Sequence, residues 1–413
     1  MSATDDGAGL PRPTPSQLAW QNMELGLFLH FQMFTFYAPA WTDGAPSPSP
    51  DLFQPKKLDC DQWMEAAVAM GAKYAILTAK HYEGFCLWPT DVYDFSVKQS
   101  SWRGGKGDVV GDFIAACHRH HIKPGLYYST SGNLHYHVVE GGLVKSGDKA
   151  EQARYAEVCE KQLRELWTRY GELTEVWFDG GVRSPEDGGP HVGELLHELQ
   201  PKAIVFGYGC PNQINWVGNE DGVAPDPCWA TGSPDGKSWA PAECDVPIRR
   251  TQWRWQPGEE NLVQTRDHLV DLYYRSVGHN CNLLLNANPN TDGLVPEPDM
   301  TRYHEFGHEI ARRFGKPIAA TQGDGEVIDL VLPHPATVDH MVMMEDIARG
   351  ERVREYSLRA QVNGLWQIVG EGTCIGHKKI DRIKPVTASH FRLKLMKSAA
   401  TPHIKSFALY HVG

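Results

Sequence analysis

Short apolar runs alternate with amphipathic segments along the first three quarters of the chain. Runs rich in β-branched and aromatic residues predict buried strands, and apolar residues three or four positions apart predict helices. We predict strands at Leu25–Phe31, Tyr74–Thr78, Gly125–Ser129, Leu173–Phe178, Ala203–Phe206 and Asn282–Asn286, with helices at 62–70, 108–121, 152–170, 192–199, 262–277 and 299–314. This alternation is typical of an α/β fold of the (β/α)8-like TIM barrel type.

The pattern changes near residue 320. Short strands separated by turns are predicted at 327–332, 338–344, 356–362, 366–369, 391–395 and 403–410. No helical segment of comparable length follows, so we expect a C-terminal β-sandwich domain. The predicted divisions are a disordered N-terminal tail over 1–15, a (β/α) barrel catalytic domain over 16–320 and the β-sandwich over 321–413. The stretch 207–257 is predicted to be irregular.

Charge and cysteine usage narrow the class of protein. A net charge of −11 over 413 residues argues against nucleic acid or an anionic membrane as the partner, and it suits a neutral substrate. The nine cysteines are scattered and form no CxxC pair, so no disulfide or zinc framework is expected. His118, His120 and His121 lie at a helix end, where a surface role is favoured over a metal site, and no cofactor is expected. The start of the chain has no signal-peptide core, which predicts a cytoplasmic protein.

Polar and aromatic side chains follow the predicted strands. The run Leu173–Phe178 ends on Asp179, which is followed by Gly180 and Gly181. A carboxylate at the C-terminal end of a parallel strand lies where barrels carry their active sites. Asp-Gly is also ordinary turn chemistry, so a turn role for Asp179 is the alternative. The other candidates near strand ends are His30, Trp41, His81, Trp88, Tyr128, Trp177, Glu220, Glu243, Trp253 and Trp255.

Acids placed among aromatic residues suit carbohydrate chemistry. Aromatic faces stack on the apolar face of a pyranose, while imidazoles and carboxylates bind its hydroxyl groups. One carboxylate can attack the anomeric carbon while a second protonates the leaving oxygen. For each aromatic residue taken alone, packing in the core is the alternative.

Six blocks of the sequence resemble the α-L-fucosidases of glycoside hydrolase family 29. They are Gly26–Phe31, Ala72–His81, Gly84–Thr90, Gly125–Ser129, Val176–Gly180 and Asn282–Asn286. The resemblance covers most of residues 20–317 in order, and the β-rich C-terminal part is similar to the family's C-terminal sandwich. It implies a retaining exo-glycosidase that releases terminal α-L-fucose, with Asp179 as the nucleophile.

The segments Trp216–Gly222 and Pro241–Val246 resemble the subgroup that acts on branched α-1,3/1,4-linked fucose. This resemblance implies Glu220 as the acid/base and Glu243 as a residue that lines the site or contacts the aglycone. The alternatives are a solvated loop acid for Glu220 and a partner of Arg249 or Arg250 for Glu243. The binding partner implied is a fucosylated oligosaccharide or glycoconjugate. The implied substrate-binding residues are His30, Trp41, His81, Tyr82, Tyr128, Trp177 and Glu243.

Two positions depart from the family pattern. Tyr82 follows His81 where a second histidine is usual, and Ala40 precedes Trp41 where many members carry a glutamate. Tyrosine can still hydrogen-bond a sugar hydroxyl, but alanine cannot. The alternatives are therefore a fucose-like sugar such as α-L-galactose, replacement by another residue such as Asp43, weak turnover, or a carbohydrate-binding pseudoenzyme. The sequence leaves the oligomeric state open.

Overall fold

The computed structural model describes residue 7, residues 9–37 and residues 45–413, and its first domain is a closed barrel of eight parallel strands. Each strand pairs with the next in the chain, and the last pairs with the first. The predicted (β/α)8-like barrel is thereby confirmed. Its strands are β1 Leu25–Leu29, β2 Tyr74–Lys80, β3 Lys123–Tyr128, β4 Glu175–Trp177, β5 Ile204–Phe206, β6 Gln213–Trp216, β7 Ala242–Val246 and β8 Cys281–Ala287.

Helices surround the barrel and begin at the side chains that the sequence provides as caps. Asp59, Asp108 and Asp148 each accept hydrogen bonds from backbone N–H groups in the first helical turn. Among the described residues, none of the helices has the length and apolar character needed to cross a membrane. The helices are α1 Pro15–Gln21, α2 Cys60–Met70, α3 Val109–Arg119, α4 Lys149–Arg169, α5 Val192–Leu199, α6 Arg266–Arg275 and α7 Glu297–Phe314.

Two barrel strands lie in the stretch that we predicted to be irregular. β6 is only four residues long, and β7 carries Glu243 and Asp245 between its apolar residues. All five residues of β7 are nevertheless buried, because its acidic side chains point into the barrel instead of toward solvent. Inward-facing acids remove the apolar run by which a buried parallel strand is normally recognised. The prediction of an irregular stretch was wrong for this reason.

The barrel has a separate interior core. Phe28, Tyr74 and Trp177 pack there with seven other buried residues, apart from the larger apolar layer between the strands and the helices. Helix α1 adds Trp20 to this core. The indole of Trp20 donates a hydrogen bond to Glu175 at the first residue of β4. One end of the barrel is therefore filled by side chains, and the chemistry is left to the other end.

The C-terminal domain is an antiparallel sheet of six strands in the order β9-β14-β10-β13-β11-β12. The pairing of β10 with β13 is interrupted between Val331 and Ala336. On one side of the interruption, residues 391–398 of β13 also pair with β11. On the other side, residues 340–345 of β10 pair with β14. Apolar side chains from both parts of the sheet share one core. The all-β domain is as predicted, although 327–332 and 338–344 belong to one long strand. The strands are β9 Ala319–Asp324, β10 Val327–Glu345, β11 Val353–Val362, β12 Leu365–Gly372, β13 Lys379–Ser398 and β14 His403–Tyr410.

Described residues of the N-terminal segment lie against the rest of the protein. The hydroxyl of Thr14 donates to Oδ1 of Asn212 at 2.7 Å and also caps α1. A side chain at Gly350 would meet the carbonyl oxygen of Pro11 at 2.7 Å. The part of the predicted disordered tail near α1 therefore makes defined contacts with both domains.

Candidate active site

A cavity of about 730 Å³ opens at the carboxyl ends of the barrel strands. Its size is that of small-ligand sites in proteins. The wall is built from the ends of strands on all sides of the barrel and from the loops that follow them. The lining residues used below are Phe28, His30, His81, Tyr82, Tyr127, Trp177, Asp179, Phe206, Trp216, Glu220, Asp245, Trp253 and Arg254.

Four nearly parallel rings line one side of the cavity. Trp177 stacks on Phe206 with ring centroids 3.7 Å apart and an interplanar angle of 7°. Tyr127 follows at 5.7 Å from Trp177, and His81 stacks on Tyr127 at 5.1 Å. Stacked rings of this kind hold one another in place, because any tilt of one ring meets its neighbour. The arrangement presents a rigid aromatic surface to a ligand.

Asp179 lies directly after β4 and is held from two sides. The hydroxyl of Tyr127 donates to its Oδ2 at 3.2 Å, and the hydroxyl of Ser131 donates to its backbone carbonyl at 2.6 Å. Gly180 follows with φ of +67°, and a Cβ there would lie 2.6 Å from the Ser131 hydroxyl. Glycine is therefore required for the turn that exposes the Asp179 carboxylate to the cavity.

Glu220 reaches the same cavity from the loop after β6. Its Oε2 accepts a hydrogen bond of 2.8 Å from the indole N–H of Trp253. Glu220 is exposed, as expected for the alternative in which it is a solvated loop acid. Its carboxylate nevertheless lines the cavity that Asp179 lines. The structure thus brings the two predicted catalytic acids to one site.

A third acid, Asp245 on β7, also lines the cavity. It is 4% exposed, and its Oδ1 accepts a hydrogen bond of 2.6 Å from the indole N–H of Trp216. The pKa of Asp245 is raised to about 7, mainly by burial and in smaller part by the negative charges of Glu243 and Glu220, against the effect of the Trp216 hydrogen bond.

His30 lies deep in the cavity wall. Its Nδ1 is 2.8 Å from the side-chain amide nitrogen of Asn286, and its ring is 5.0 Å from that of Trp253. Burial lowers the pKa of His30 well below its usual value, and the nearby His81 lowers it further. Because Nδ1 of the neutral ring accepts from the Asn286 amide, its proton lies on Nε2, which is left to donate to a hydroxyl group of a sugar.

Tyr128 does not line the cavity, and its predicted role in substrate binding is wrong. Successive side chains of a strand point to opposite faces, and the inward position on β3 belongs to Tyr127. The hydroxyl of Tyr128 instead donates to Gln162 on α4 at 2.8 Å, and the Nζ of Lys80 lies 4.1 Å from the centre of its ring. Tyr128 belongs to the layer between barrel and helices.

Glu243 is also not exposed in the cavity, so its predicted place in the substrate site is corrected. It lies in the barrel interior, where it accepts hydrogen bonds from the Tyr74 hydroxyl at 2.7 Å and the Trp177 indole at 3.0 Å. Burial raises the pKa of Glu243, and burial together with the charge of Glu243 raises the pKa of Glu175. The alternative of Arg249 or Arg250 as its partner is also wrong, because Glu243 bonds Tyr74 and Trp177 while Arg249 forms its ion pair with Asp299.

The remaining predicted residues fall into two groups. His30, His81, Tyr82 and Trp177 all line the cavity, and their role in substrate binding stays a prediction. The ring of Tyr82 is 43% exposed and lies 5.3 Å from that of Phe34 at the rim. Trp41, together with Ala40 and Asp43, lies outside the described residues.

No role was predicted from the sequence for Tyr127, Asp245 or Arg254, which also line the cavity. No sequence signal separated Tyr127 from Tyr128, because both residues of β3 are buried. Asp245 carried no signal either, because its strand was not recognised. Among the described residues, no group of three or more potential metal ligands comes together.

A parallel barrel whose open end combines two carboxylates with stacked aromatic rings defines a glycoside hydrolase of the (β/α)8 class. The family model for alpha-L-fucosidase matches residues 40–312. The chain therefore belongs to the α-L-fucosidase family, glycoside hydrolase family 29, and it is an α-L-fucosidase by fold and family.

Individual relatives agree with this assignment. The chain is 32% identical to alpha-L-fucosidase 1 of Arabidopsis thaliana, over 97% of this chain and 88% of that protein. A crystal structure from Bacteroides thetaiotaomicron VPI-5482 that bears the same family description has a TM-score of 0.94 at 36% identity, with 98% of this chain and 100% of that chain covered. A Ruminococcus gnavus fucosidase solved in complex with fucose shares the fold, with a TM-score of 0.83 at 24% identity and coverage of 99% and 95%.

Proposed function

We propose that this α-L-fucosidase is a retaining exo-enzyme that cleaves α-1,3- and α-1,4-linked fucose from branched glycans. The observation that carries the proposal is the presence of Asp179 and Glu220 in one cavity at the open end of the barrel. Retention requires two carboxyl groups on either side of the scissile bond, about 5–5.5 Å apart. One must be ionised and free to attack, and the other must supply a proton.

Asp179 is the nucleophile in this proposal. Its carboxylate attacks the anomeric carbon, the bond to the leaving oxygen breaks, and a covalent β-fucosyl ester forms on Asp179. The Tyr127 hydroxyl donates to Oδ2, which fixes the direction of the carboxylate and leaves Oδ1 for the attack. Gly180 removes any side chain that would crowd the anomeric carbon.

Glu220 is the acid/base. It gives its proton to the departing oxygen in the first step and removes a proton from water in the second, when water hydrolyses the ester. The Trp253 indole N–H orients one carboxyl oxygen and leaves the other for proton transfer. The exposed loop position suits this role, because water must reach Glu220 after the aglycone departs.

The remaining lining supports recognition of a single terminal sugar. The row from His81 to Phe206 offers an apolar face to a deoxysugar, and His30 offers hydrogen bonds to its hydroxyls. The Ruminococcus gnavus enzyme, which has the same fold, was solved with fucose bound. The segment Trp216–Gly222 resembles the branched-glycan subgroup, and its residues Trp216 and Glu220 line the cavity, which supports the α-1,3/1,4 preference.

The stereochemical part is tested by following α-fucosyl fluoride or an aryl α-L-fucoside by NMR during early turnover. We expect α-L-fucose to appear first, because hydrolysis of the β-fucosyl ester on Asp179 restores the α configuration of the substrate. Initial release of β-L-fucose would show inversion and would remove Asp179 from the nucleophile role.

Linkage preference is tested with a fucosylated N-acetyllactosamine trisaccharide, an α-1,2-linked fucoside and an aryl α-L-fucoside. We expect kcat/KM to be at least about tenfold higher for the branched trisaccharide, since binding of the neighbouring sugar is used at the transition state. Equal values across the three substrates would contradict the subgroup assignment alone. A parallel aryl α-L-galactoside tests the other sugar, and faster turnover of it would overturn fucose as the preferred substrate.

A further inference from the structure

The Trp216–Asp245 pair forms part of the cavity wall and has no part in the two-acid mechanism. Trp216 ends β6 and is 46% exposed, whereas Asp245 on the neighbouring strand β7 is 4% exposed. The indole N–H of Trp216 donates to Oδ1 of Asp245 at 2.6 Å. An exposed indole that lines the cavity is thereby anchored by its N–H edge to a buried carboxyl group.

Stability alone does not account for Asp245. Within the described part of the chain, no lysine or arginine forms an ion pair with it, and the charged groups that act on it most are the acids Glu220 and Glu243. A buried carboxyl group without a cation is costly for folding. Among the described side chains, Trp216 is the one that donates a hydrogen bond to it, so we take the orientation of that ring as what the residue provides.

The position of Trp216 relative to Glu220 indicates which part of a substrate it faces. Both residues belong to one segment, β6 and the loop after it. The acid/base must lie beside the glycosidic oxygen, on the side of the departing group. The stacked row around Trp177 includes Tyr127, which hydrogen-bonds Asp179. Because Asp179 attacks the cleaved sugar, this row lies beside that sugar. A ring beside Glu220 consequently lies along the departing group.

We propose that Asp245 is a positioning residue that fixes the indole of Trp216 as a stacking platform for the sugar unit next to the cleaved bond. The ligand class is a pyranose carried as the aglycone of the fucosyl group. This inference rests on the proposed function, because it uses Glu220 as the acid/base. The hydrogen bond holds the ring in the cavity wall before substrate arrives, so less conformational freedom is lost on binding.

The test compares a substrate with a neighbouring sugar and one without it. The first is the fucosylated N-acetyllactosamine trisaccharide, and the second is α-L-fucosyl fluoride, which has no aglycone ring to stack. The variants are Trp216→Ala, which removes the platform, Asp245→Leu, which removes the acceptor, and Asp245→Asn, which retains an acceptor oxygen without the charge. Chemical denaturation of each variant establishes that it is folded.

We expect Trp216→Ala and Asp245→Leu to lower kcat/KM for the trisaccharide at least about tenfold more than for fucosyl fluoride, mainly through KM. Asp245→Asn should recover most of the trisaccharide activity, because its amide oxygen can accept from the indole. A purely structural role would lower both activities together and would not be rescued by asparagine in this substrate-dependent way.

Two results would contradict the proposal that Asp245 holds Trp216 as a stacking platform. Equal losses on both substrates would mean that the pair acts on the fucosyl group or on the barrel as a whole. Asp245→Asn as damaging as Asp245→Leu would mean that the charge, and not the hydrogen bond to Trp216, is what matters. Failure of the proposed function is distinguishable, because it would appear in the unmodified enzyme itself, as initial release of β-L-fucose or as a kcat/KM for the trisaccharide no higher than that for an aryl fucoside.

Discussion

The hydroxyl of Tyr127 donates a hydrogen bond to Oδ2 of Asp179 at 3.2 Å, and it does so from within the row of stacked rings. Burial raises the pKa of Tyr127 well above its usual value, and the charge of Asp179 raises it further, so the hydroxyl keeps its proton and remains a donor. The neighbouring Tyr128, identical in chemistry, points away from the cavity. Of these two adjacent tyrosines, Tyr127 marks the face of β3 that lines the cavity and Tyr128 marks the face that packs against the helices.

Replacing Tyr127 by phenylalanine should reduce kcat/KM by about 10- to 100-fold, because a hydrogen bond to a charged group contributes about 1.5–3 kcal/mol. Steady-state kinetics on an aryl α-L-fucoside measures the loss. Tyr128→Phe is the matched control and should change the free energy of unfolding instead, through the lost bond to Gln162. Equal kinetic losses in the two variants would contradict the assignment of the two faces.

Replacing Asp179 by alanine should lower kcat at least about a thousandfold, which corresponds to ~4 kcal/mol in the barrier, with little change in stability. With an activated α-fucoside, added azide should occupy the space of the carboxylate and yield β-fucosyl azide. In the matched variant Glu220→Gln, azide should intercept the ester on Asp179 and yield the α-azide. Residual activity of Asp179→Ala within about tenfold of the unmodified enzyme would assign the attack to another group.

Glu220→Gln should be most damaging for substrates with poor leaving groups. An aryl fucoside with an acidic phenol departs without protonation, whereas a sugar alkoxide requires it. A plot of log kcat/KM against the pKa of the leaving phenol should therefore steepen in this variant. Glu243→Gln should leave that slope unchanged, because its carboxylate bonds Tyr74 and Trp177 in the barrel interior. Steepening in Glu243→Gln alone would exchange the two roles.

The pH dependence of stability should report the buried acids of the barrel interior. Burial raises the pKa of Glu243 from 4.5 to about 7, so the folded protein keeps a proton that the unfolded chain releases between these values. The contribution of Glu243 to the free energy of unfolding is then fully present below pH 4.5 and is lost as pH rises toward 7.

Urea denaturation between pH 4.5 and 7 measures this effect. Glu243→Gln removes one such group and should flatten the fall in stability by up to about 1.4 kcal/mol per pH unit. The exposed Glu371 on β12 supplies the control variant Glu371→Gln, which should keep the original slope. Parallel slopes for Glu243→Gln and the unmodified protein would show that Glu243 is ionised in the folded state.

The sequence by itself determined the class of the fold and the position of the nucleophile candidate. Six of the eight barrel strands are apolar runs, because strands covered on both faces must bury every side chain. The same runs end on polar residues such as His30 and Asp179, since those residues leave the barrel at its open end. Asp179 followed by two glycines was recognisable for this local reason.

Only the tertiary structure decided which side chains enter the cavity. The sequence does not distinguish Tyr127 from Tyr128, because both residues are buried. The closure of the barrel determines which of the two faces inward. Glu243 and Asp245 lie two residues apart on β7 and share its inward face, yet depth along the barrel axis places one in the interior core and the other in the cavity wall. Such depth is set by the pairing of strands distant in sequence, and local pattern does not encode it.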